Sequence, residues 1–257
     1  MNKEKTFEFE NGRDYFVFGS NTGGIHGAGS ANWANRFYKA RYGVGEGITG
    51  MSYALPSKVV RNGMIDNMSW EEFKEHCDKF IRFAMDNPEK RFWLTKVGCG
   101  LAGFREEDVR SIFLSHDVPA NILIPGTWLK YKNPKLARII VAGSRECTDE
   151  NLVYTYIATH ISGSTDPDYD IEIVSGMARG PDMFGYQYAK DHSIPVAKFP
   201  AQWDLFGQKT SGMVRNNLMA MYSTDLVAFH LNDSPGTRNM IITVRREGLN
   251  AFVYEKV

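Results

Sequence analysis

The chain has few cysteines and no long apolar run. Its 257 residues include three cysteines, Cys77, Cys99 and Cys147, too few and too scattered for a disulfide framework or a zinc site. It contains no stretch of eighteen apolar residues, so the sequence predicts no membrane span. The opening Met1–Lys5 is charged and lacks the apolar stretch of a signal peptide. We therefore expect a cytoplasmic protein.

An excess of charge of one sign is also absent. Thirty basic side chains balance thirty acidic ones. Because a dedicated duplex nucleic-acid binder usually has a basic excess, this balance argues against a nucleic-acid partner and favours a small phosphorylated ligand held in a local basic groove. The six histidines are dispersed, and none pairs at ligand spacing with acids nearby. The sequence thus predicts no metal and no other cofactor.

The chain is long enough for two domains. An apolar share of 43% and a charged share of 23% are ordinary for a globular protein. Two apolar runs, Tyr15–Phe18 and Arg138–Ala142, each end at a glycine and are typical of buried strands that lead into loops. Between them lies the polar, proline-interrupted segment Lys130–Lys135. We therefore predict domains at 1–132 and 137–257.

Strand and helix signals alternate in both halves. In the first half the sequence predicts strands at 15–18, 52–56, 92–97 and 121–125, with helices at 31–42 and 69–85. In the second half it predicts strands at 138–142, 171–174, 196–199, 226–230 and 251–254, separated by helices that include one opening at 181, one at 211–222 and one ending at 247. This rhythm predicts a parallel sheet with helices on both faces in the second half.

Two glycine-rich loops follow strands in the first half. Asn21–Ser30 has four glycines in ten residues just before a helix, and Gly98–Phe104 repeats the arrangement after a later strand. Glycine lets backbone N–H groups converge on an anion, and the helix N-terminus adds a favourable dipole. We predict that the loops clamp a diphosphate from opposite sides. The predicted ligand-binding residues are Gly23, Gly24, Gly27, Gly29, Gly98, Gly100, Leu101, Ala102, Gly103 and Phe104.

The order and spacing of these motifs resemble a known family. Phe18–Asn21, Gly23–Gly29 and Val97–Phe104 are similar to the motifs of the macro domain, the ADP-ribose-binding α/β/α module, over roughly residues 10–128. The resemblance implies a mixed sheet. It also implies that both glycine loops hold the diphosphate and the distal ribose of an ADP-ribose ligand.

The same resemblance leaves binding and hydrolysis open. It implies that Asn21 lies against the distal ribose and that Phe104 packs on that sugar. Hydrolytic macro domains often carry an aspartate where this chain has His26, which is either a general acid or base or a hydrogen-bonding loop residue. Glu46 is a second catalytic candidate by family position, or a solvated loop carboxylate. Cys99 is a nucleophile by type, but its place between glycines favours a merely small side chain. The catalytic candidates are Asn21, His26 and Glu46.

The second half carries glycines and arginines beside its predicted strand ends. Because the strands are parallel, loops after them converge at one edge of the sheet, where arginine provides forked donors for phosphate. The predicted ligand-binding residues are Gly143, Ser144, Arg145, Ser175, Gly176, Arg179, Gly180, Asp182, Arg215, Asn216, Gly236, Thr237 and Arg238. Asp182 is either a ribose ligand or a first-turn helix acid. Trp203 either stacks on a base or packs in the fold.

Four of these motifs resemble a second family. Val141–Arg145, Val174–Asp182, Arg215–Asn217 and Ser234–Arg238 are similar, in this order, to motifs of the SLOG superfamily, over about residues 137–257. The likeness is to its stand-alone bacterial and phage branch of Rossmann-like domains. It implies a nucleotide ligand, a bacterial host cell and, as one arrangement, a homo-oligomer formed through this half. Relatives that cleave the base–ribose bond carry a glutamate after the Gly-Thr of the last loop, where this chain has no acid.

Together the two resemblances predict the fold class and a function. The predicted fold is α/β, with two three-layer α/β/α domains: a macro-like one with a mixed sheet and a Rossmann-like one with a mainly parallel sheet. We expect binding of ADP-ribose or an NAD-derived signalling nucleotide such as a cyclic ADP-ribose. A role in bacterial defence or phage counter-defence follows by family analogy alone. The alternative is an ADP-ribosyl or nucleotide N-glycosidic hydrolase of metabolic repair. A third hypothesis, a DNA-processing module, is disfavoured by the zero net charge.

Overall fold

The computed structural model describes residues 4–115, 117–162 and 169–256. The chain forms two compact units. The N-terminal unit comprises Phe9–Trp128, and the C-terminal unit comprises Met1–Glu8 with Leu129–Val257. Within the described ranges, no helix combines the length and the apolar character needed to cross a membrane.

Strands and helices alternate along both units. The strands are β1 (Glu4–Thr6), β2 (Asp14–Asn21), β3 (Gly47–Thr49), β4 (Ser52–Arg61), β5 (Met64–Asn67), β6 (Arg91–Leu94), β7 (Ile122–Leu123), β8 (Leu136–Gly143), β9 (Asp170–Ser175), β10 (Val196–Lys198), β11 (Asp225–Leu231) and β12 (Asn250–Lys256). The helices are α1 (Gly29–Phe37), α2 (Trp70–Met85), α3 (Glu106–Phe113), α4 (Gly126–Lys132), α5 (Glu150–Ser162), α6 (Pro181–Asp191), α7 (Trp203–Phe206), α8 (Ser211–Tyr222) and α9 (Pro235–Glu247).

The N-terminal unit contains a mixed sheet in the order β3-β4-β2-β6-β7, with β5 paired to β4. The neighbours β4, β2, β6 and β7 are parallel, while β3 and β5 run antiparallel to β4. An aromatic core that includes Phe73, Phe80, Phe92, Phe113 and Trp128 packs against this sheet. The predicted α/β class with a mixed first sheet is confirmed.

Helix α2 starts where the sequence predicts. Ser69 is the N-cap, its side chain accepts a hydrogen bond from the Glu72 amide, and the Glu72 carboxylate accepts one from the Ser69 amide. This reciprocal capping box satisfies donors that the first helical turn leaves unpaired. The buried side of the helix includes Phe73, Cys77 and Phe80, at the spacing of one helical face.

Several predicted boundaries in the N-terminal unit are wrong, among them the ends of the strands predicted at 92–97 and 121–125, which are Leu94 and Leu123. The helix predicted to reach Tyr42 ends at Phe37, and the chain reverses at Lys39, whose φ is 58°. The strand predicted to end at Pro56 continues to Arg61. A register shift in the β2–β4 pairing, at Ser20 and Asn21, lies opposite this proline, and such irregularities let a strand tolerate proline.

The C-terminal unit contains a sheet in which every recorded pair is parallel. Its order is β1-β10-β9-β8-β11-β12. From β8 the chain adds β9 and then β10 on one side, and afterwards crosses to add β11 and β12 on the other. The order therefore reverses between β8 and β11, the position where open parallel sheets bind ligands. This confirms the predicted mainly parallel second sheet.

The first described residues belong to the C-terminal unit, although we expected residues 1–132 to form one domain. Strand β1 pairs with β10, with Glu4 opposite Val196. Ion pairs support this pairing, because Glu4 lies 2.9 Å from Lys198 Nζ and 3.0 Å from Lys190 Nζ. Hydrogen bonds from Lys198 and then Lys190 lower the pKa of Glu4 to about 2. A polar three-residue strand has no hydrophobic alternation, so the sequence pattern did not reveal it.

Candidate functional site

Each unit contains a cavity at the carboxyl ends of its parallel strands. The N-terminal cavity has a volume of about 420 Å³ and lies where β2 and β6 end. It brings together residues of both glycine-rich loops, as the sequence predicts. The predicted residues in its lining are Asn21, Gly27, Gly29, Gly98, Gly100, Leu101 and Ala102.

The floor of the N-terminal cavity is suited to an anion. Helix α1 begins at Gly29, with Ala28 as its N-cap residue. Its first turn contains no acidic residue, and among the described residues no side chain caps its start. Amides of a first helical turn lack partners within the helix and carry a partial positive charge. A Cβ added at Gly27 or at Gly100 would meet no described atom within 4 Å. Both glycines therefore leave open space in front of the loops.

Two lysines that were not predicted as site residues also line this cavity. Lys58 lies on the β4–β5 hairpin, and Lys96 precedes the second glycine loop. Lys96 Nζ lies 2.7 Å from Glu106 Oε1, which also accepts a 2.7 Å hydrogen bond from Trp128 Nε1. Lys58 escaped prediction because β4 was expected to stop at Pro56.

Asn21 lines the cavity but also holds the first loop closed. Its Nδ2 donates to the Ile25 carbonyl at 2.8 Å, and its Oδ1 accepts from the Ile25 amide at 3.1 Å. The side-chain amide thus shapes the loop, and part of its hydrogen-bonding capacity is used there.

His26 lies outside the cavity lining, in contrast to its candidate catalytic role. Its ring is fully buried, packing edge-on against Phe18 with centroids 5.0 Å apart and beside Tyr42 at 5.6 Å. Burial lowers the pKa of His26, so the ring is neutral near pH 7. Tyr42 Oη donates to the His26 carbonyl at 3.1 Å. The histidine therefore supports the glycine loop from behind.

Glu46 is likewise placed away from the cavity. Its Oε1 lies 2.7 Å from His76 Nδ1 and its Oε2 lies 3.6 Å from Lys79 Nζ, both on α2. The carboxylate fastens a loop to that helix. It is neither a freely solvated group nor a base in the cavity.

The remaining predicted residues of the first half have structural surroundings. Gly23, Gly24 and Gly103 lie outside the lining, and so does Phe104, whose ring stacks on Phe73 with centroids 4.5 Å apart. At Gly24, where φ is 66°, an added Cβ would lie 2.4 Å from the Val44 amide nitrogen. Burial raises the pKa of the Cys99 thiol to about 12, so this cysteine is protonated at neutral pH and is a poor nucleophile.

The C-terminal cavity is larger, about 740 Å³, and lies at the edge where the strand order reverses. This volume is within the range of about 300–1,000 Å³ typical of small-molecule sites. Eight of the predicted residues line it: Gly143, Arg145, Gly176, Asp182, Arg215, Asn216, Gly236 and Thr237.

A buried ion pair braces three segments below this cavity. Arg215 Nη1 lies 3.6 Å from Asp182 Oδ1 and donates to the Gly176 carbonyl. Asp182 Oδ2 accepts from the Gly143 amide at 3.3 Å. A Cβ added at Gly176 would lie 1.9 Å from Arg215 Nη1, so only glycine admits the guanidinium. Burial raises the pKa of Asp182, although the positive charge of Arg215 acts in the opposite direction. Burial also lowers the pKa of Arg215.

Asn216 extends the brace to α9. Arg215 Nε donates to Asn216 Oδ1 at 3.0 Å, and Asn216 Nδ2 donates to Asn239 Oδ1 at 2.9 Å. The loops after β8, β9 and β11 are therefore held in one network. Such a network fixes the backbone around a ligand before the ligand arrives.

Five predicted residues of the second half lie outside the lining: Ser144, Ser175, Arg179, Gly180 and Arg238. Ser144 Oγ donates to the Leu231 carbonyl at 2.8 Å and accepts from its amide at 2.9 Å, joining the ends of β8 and β11. Ser175 Oγ donates to the Asp182 carbonyl at 2.6 Å. Arg179 is exposed, and Arg238 pairs with Asp233. Two of the four predicted arginines thus reach the cavity.

Other lining residues were not predicted as site residues. They include Glu146, Gln208, Lys209, Met213, Asn239 and Met240, while Trp203, for which base stacking was one of two expectations, lines the cavity as well. Several of these residues, from Trp203 to Lys209, lie on or just after α7, and a helix of four residues is too short to show a periodic hydrophobic pattern. The one indication in the sequence was Lys209, a cationic residue between the strand predicted at 196–199 and the helix predicted at 211–222.

Comparisons with known proteins bear on the C-terminal unit. A family model described as YAcAr, the YspA, cpYpsA-related SLOG family, matches residues 137–206. This match supports the SLOG resemblance of the C-terminal half. No curated protein matches the chain. Among solved structures, the chain is similar to DNA processing protein A from Streptococcus pneumoniae, with 18% identity and a TM-score of 0.38 over 50% of this chain. The match spans about half of that protein's length, 53%.

Proposed function

We propose that this protein binds phosphorylated nucleotides, an ADP-ribose-class ligand in the N-terminal cavity and a nucleotide phosphate in the C-terminal cavity. The observation that carries the proposal is the meeting of two glycine-rich loops on one cavity beside the start of α1. The macro-domain resemblance of this unit supports the choice of ADP-ribose as ligand.

In the N-terminal cavity the chemistry favours a diphosphate. Amides at the start of α1 provide donors, Lys58 adds positive charge, and Lys96, which also pairs with Glu106, adds an ammonium donor from another segment. Open space at Gly27 and Gly100 lets a ligand oxygen approach the backbone. An anion with several oxygens engages more of these donors than a single phosphate does.

In the C-terminal cavity the arrangement favours a phosphate at the start of α9. This helix begins at Pro235, has no acidic residue in its first turn and presents Gly236 and Thr237 to the cavity. Arg145 lines the same space. A helix N-terminus and an arginine at the strand-order reversal of a parallel sheet are a combination suited to nucleotide phosphates.

The surroundings of the candidate acids and bases favour binding over hydrolysis. His26 and Glu46 both lie outside the N-terminal cavity and are held by other residues. In the C-terminal cavity Asp182 is held by Arg215, and Glu146 is the other carboxylate in the lining formed by the described residues. Nucleotide sensing or sequestration, in the bacterial and phage setting that the SLOG resemblance implies, is the corresponding role.

Calorimetric titration with ADP-ribose and with AMP tests the proposal. The variants Gly27→Glu and Gly236→Glu each place a carboxylate in one cavity at a position where a Cβ meets no described atom within 4 Å. Each variant is the folding control of the other. We expect Gly27→Glu to lose ADP-ribose binding in the N-terminal cavity, and Gly236→Glu to lose only the second site.

The proposal fails if the wild-type protein gives neither heat nor thermal shift with both nucleotides. It also fails if Gly27→Glu binds ADP-ribose as tightly as the wild type while its melting temperature is unchanged.

A further inference from the structure

Trp203 is exposed at the C-terminal cavity. The residue is 42% exposed and forms part of the cavity lining. Tryptophan is buried to a high degree on average, so an indole that remains open beside a polar cavity is unusual. Its exposed ring offers a flat apolar surface within a site lined by Arg145 and Lys209.

The helix that carries this indole is firmly held. The Gly207 amide donates to the Trp203 carbonyl at 2.8 Å, closing the single turn of α7. Ser211 Oγ lies 2.8 Å from the Gln202 carbonyl oxygen and 2.9 Å from that of Gly207, so one buried hydroxyl joins both ends of the turn to α8. Phe206, Phe199 and Leu218 surround a space of only about 10 Å³. The backbone that carries Trp203 at the cavity is therefore held in place.

The cavity lining combines cationic and apolar groups. Arg145 and the first turn of α9 provide positive charge, and Trp203, Met177 and Met213 supply apolar side chains. Met177 has a φ of 57°, a conformation that non-glycine residues rarely adopt. Strain of this kind persists where the surrounding structure enforces it, and it is frequent at ligand sites. Flexible methionines adapt well to a flat ring.

We propose that Trp203 is the platform on which the base of the bound nucleotide stacks, with the phosphate at the start of α9 beside Arg145. This rests on the proposed nucleotide binding and names the ligand class of the C-terminal cavity: a nucleoside phosphate with its base, in preference to a sugar phosphate. The large indole surface favours purines over pyrimidines. A π-face exists on every base, so the preference is graded.

The experiment compares AMP with ribose 5-phosphate, two ligands that share a sugar phosphate and differ in the base. Both are titrated into Gly27→Glu protein, in which the N-terminal cavity is blocked, by calorimetry and by tryptophan fluorescence. Since stacking on an aromatic side chain contributes about 1–3 kcal/mol per base, AMP is expected to bind about 5- to 150-fold more tightly than ribose 5-phosphate. AMP alone is expected to quench indole emission.

The variants Trp203→Ala and Trp203→Phe, made in the same Gly27→Glu protein, separate stacking from folding. We expect Trp203→Ala to reduce AMP affinity to that of ribose 5-phosphate, whose own affinity stays unchanged, and Trp203→Phe to restore most of the difference. Tyr131→Ala, which removes another exposed aromatic ring of the C-terminal unit, is the matched control and is expected to bind AMP like the parent protein.

Equal affinities of AMP and ribose 5-phosphate, or full AMP affinity in Trp203→Ala, would overturn the base platform while leaving phosphate binding intact. Loss of self-association in Trp203→Ala with unchanged AMP affinity would assign the indole to a contact between copies and overturn it as well. If neither ligand binds the C-terminal cavity, both this inference and the proposed function of that cavity are wrong.

Discussion

The two cavities use glycine at strand ends in different ways. In the N-terminal unit the first loop is closed by a contact four residues long, from Asn21 to Ile25, and is also bonded to more distant residues, as from Thr22 to Val60, 38 residues apart. In the C-terminal unit the loops are held by contacts between distant segments, such as Arg215 to Gly176, 39 residues apart, and Ser144 to Leu231, 87 apart. Both sets of loops have distant partners, but the partners below the C-terminal cavity include the buried ion pair of Arg215 and Asp182, in which loss of one charge leaves the other buried and uncompensated. The C-terminal cavity is therefore expected to be the more sensitive to single substitutions.

Removing Arg215 is expected to have the largest effect on stability. The Arg215→Met variant leaves Asp182 buried without its partner, and breaking a buried ion pair typically costs about 3–5 kcal/mol. Urea denaturation measures the loss. The control Arg179→Met removes an exposed arginine outside the cavity and is expected to change stability by less than about 0.5 kcal/mol. If both variants lost the same free energy of unfolding, the buried ion pair would not make the C-terminal cavity the more sensitive of the two.

Two neighbouring glycines test whether the first loop separates folding from binding. Gly24→Ala places a Cβ 2.4 Å from the Val44 nitrogen at a φ of 66°, and overpacking of this kind costs about 1–3 kcal/mol. Gly27→Ala meets no described atom within 4 Å and is expected to leave the melting temperature unchanged. Thermal denaturation gives both values. A larger destabilisation by Gly27→Ala than by Gly24→Ala would contradict the assignment of these positions.

The arginines of the C-terminal unit are expected to differ in ligand binding. Arg145 lines the cavity, while Arg179 and Arg238 lie outside it. Because a hydrogen bond to a charged group contributes about 1.5–3 kcal/mol, Arg145→Ala is expected to weaken AMP binding by about tenfold or more. Arg179→Ala and Arg238→Ala are expected to stay within about twofold. Calorimetry on the three variants decides, and equal losses would indicate a general charge effect.

The smallest expected effect is the pH dependence that His26 adds to the N-terminal unit. Burial lowers its pKa from the ordinary 6.5, so the folded state favours the neutral ring and the unfolded chain binds the proton. Stability from this source is present above pH 6.5 and is lost as the pH falls toward the folded pKa. One proton contributes at most about 1.4 kcal/mol per pH unit.

Denaturation of the wild type and of His26→Phe between pH 5 and pH 8 measures this term. His160, whose pKa burial also lowers, contributes a slope of the same sign in both proteins. The difference between the two slopes therefore belongs to His26. A slope that does not change on substitution would mean that this histidine is not responsible.

The sequence predicted what depends on local pattern. The strands that lead to Gly19, Gly143 and Gly176, and the capping box at Ser69, are encoded by neighbouring residues, and the structure contains them. The features that the sequence did not predict depend on partners far away along the chain. Ser144 was expected to contact a ligand, but a bond to Leu231 occupies its hydroxyl, and nothing near residue 144 in sequence announces that partner.

The positions of charged residues show the same limit. Arg145 and Arg238 both flank a glycine loop, yet Arg145 lines the cavity and Arg238 pairs with Asp233. Lys58 was missed for a different reason, because β4 continues past Pro56.

Strand β1 has a consequence for the order in which the molecule is made. Glu4 pairs with residues near Val196, so the chain leaves the parallel sheet after its first strand, builds the whole N-terminal unit, and only then returns. During synthesis β1 is made before the whole N-terminal unit, and its partner β10 (Val196–Lys198) is made only after that unit is complete. In a shortened chain that starts at Leu129, the edge of β10 that pairs with β1 would have no partner strand. Such an unpaired edge invites association with other strands, so fragments of the C-terminal unit should be prepared with residues 1–8 joined to them.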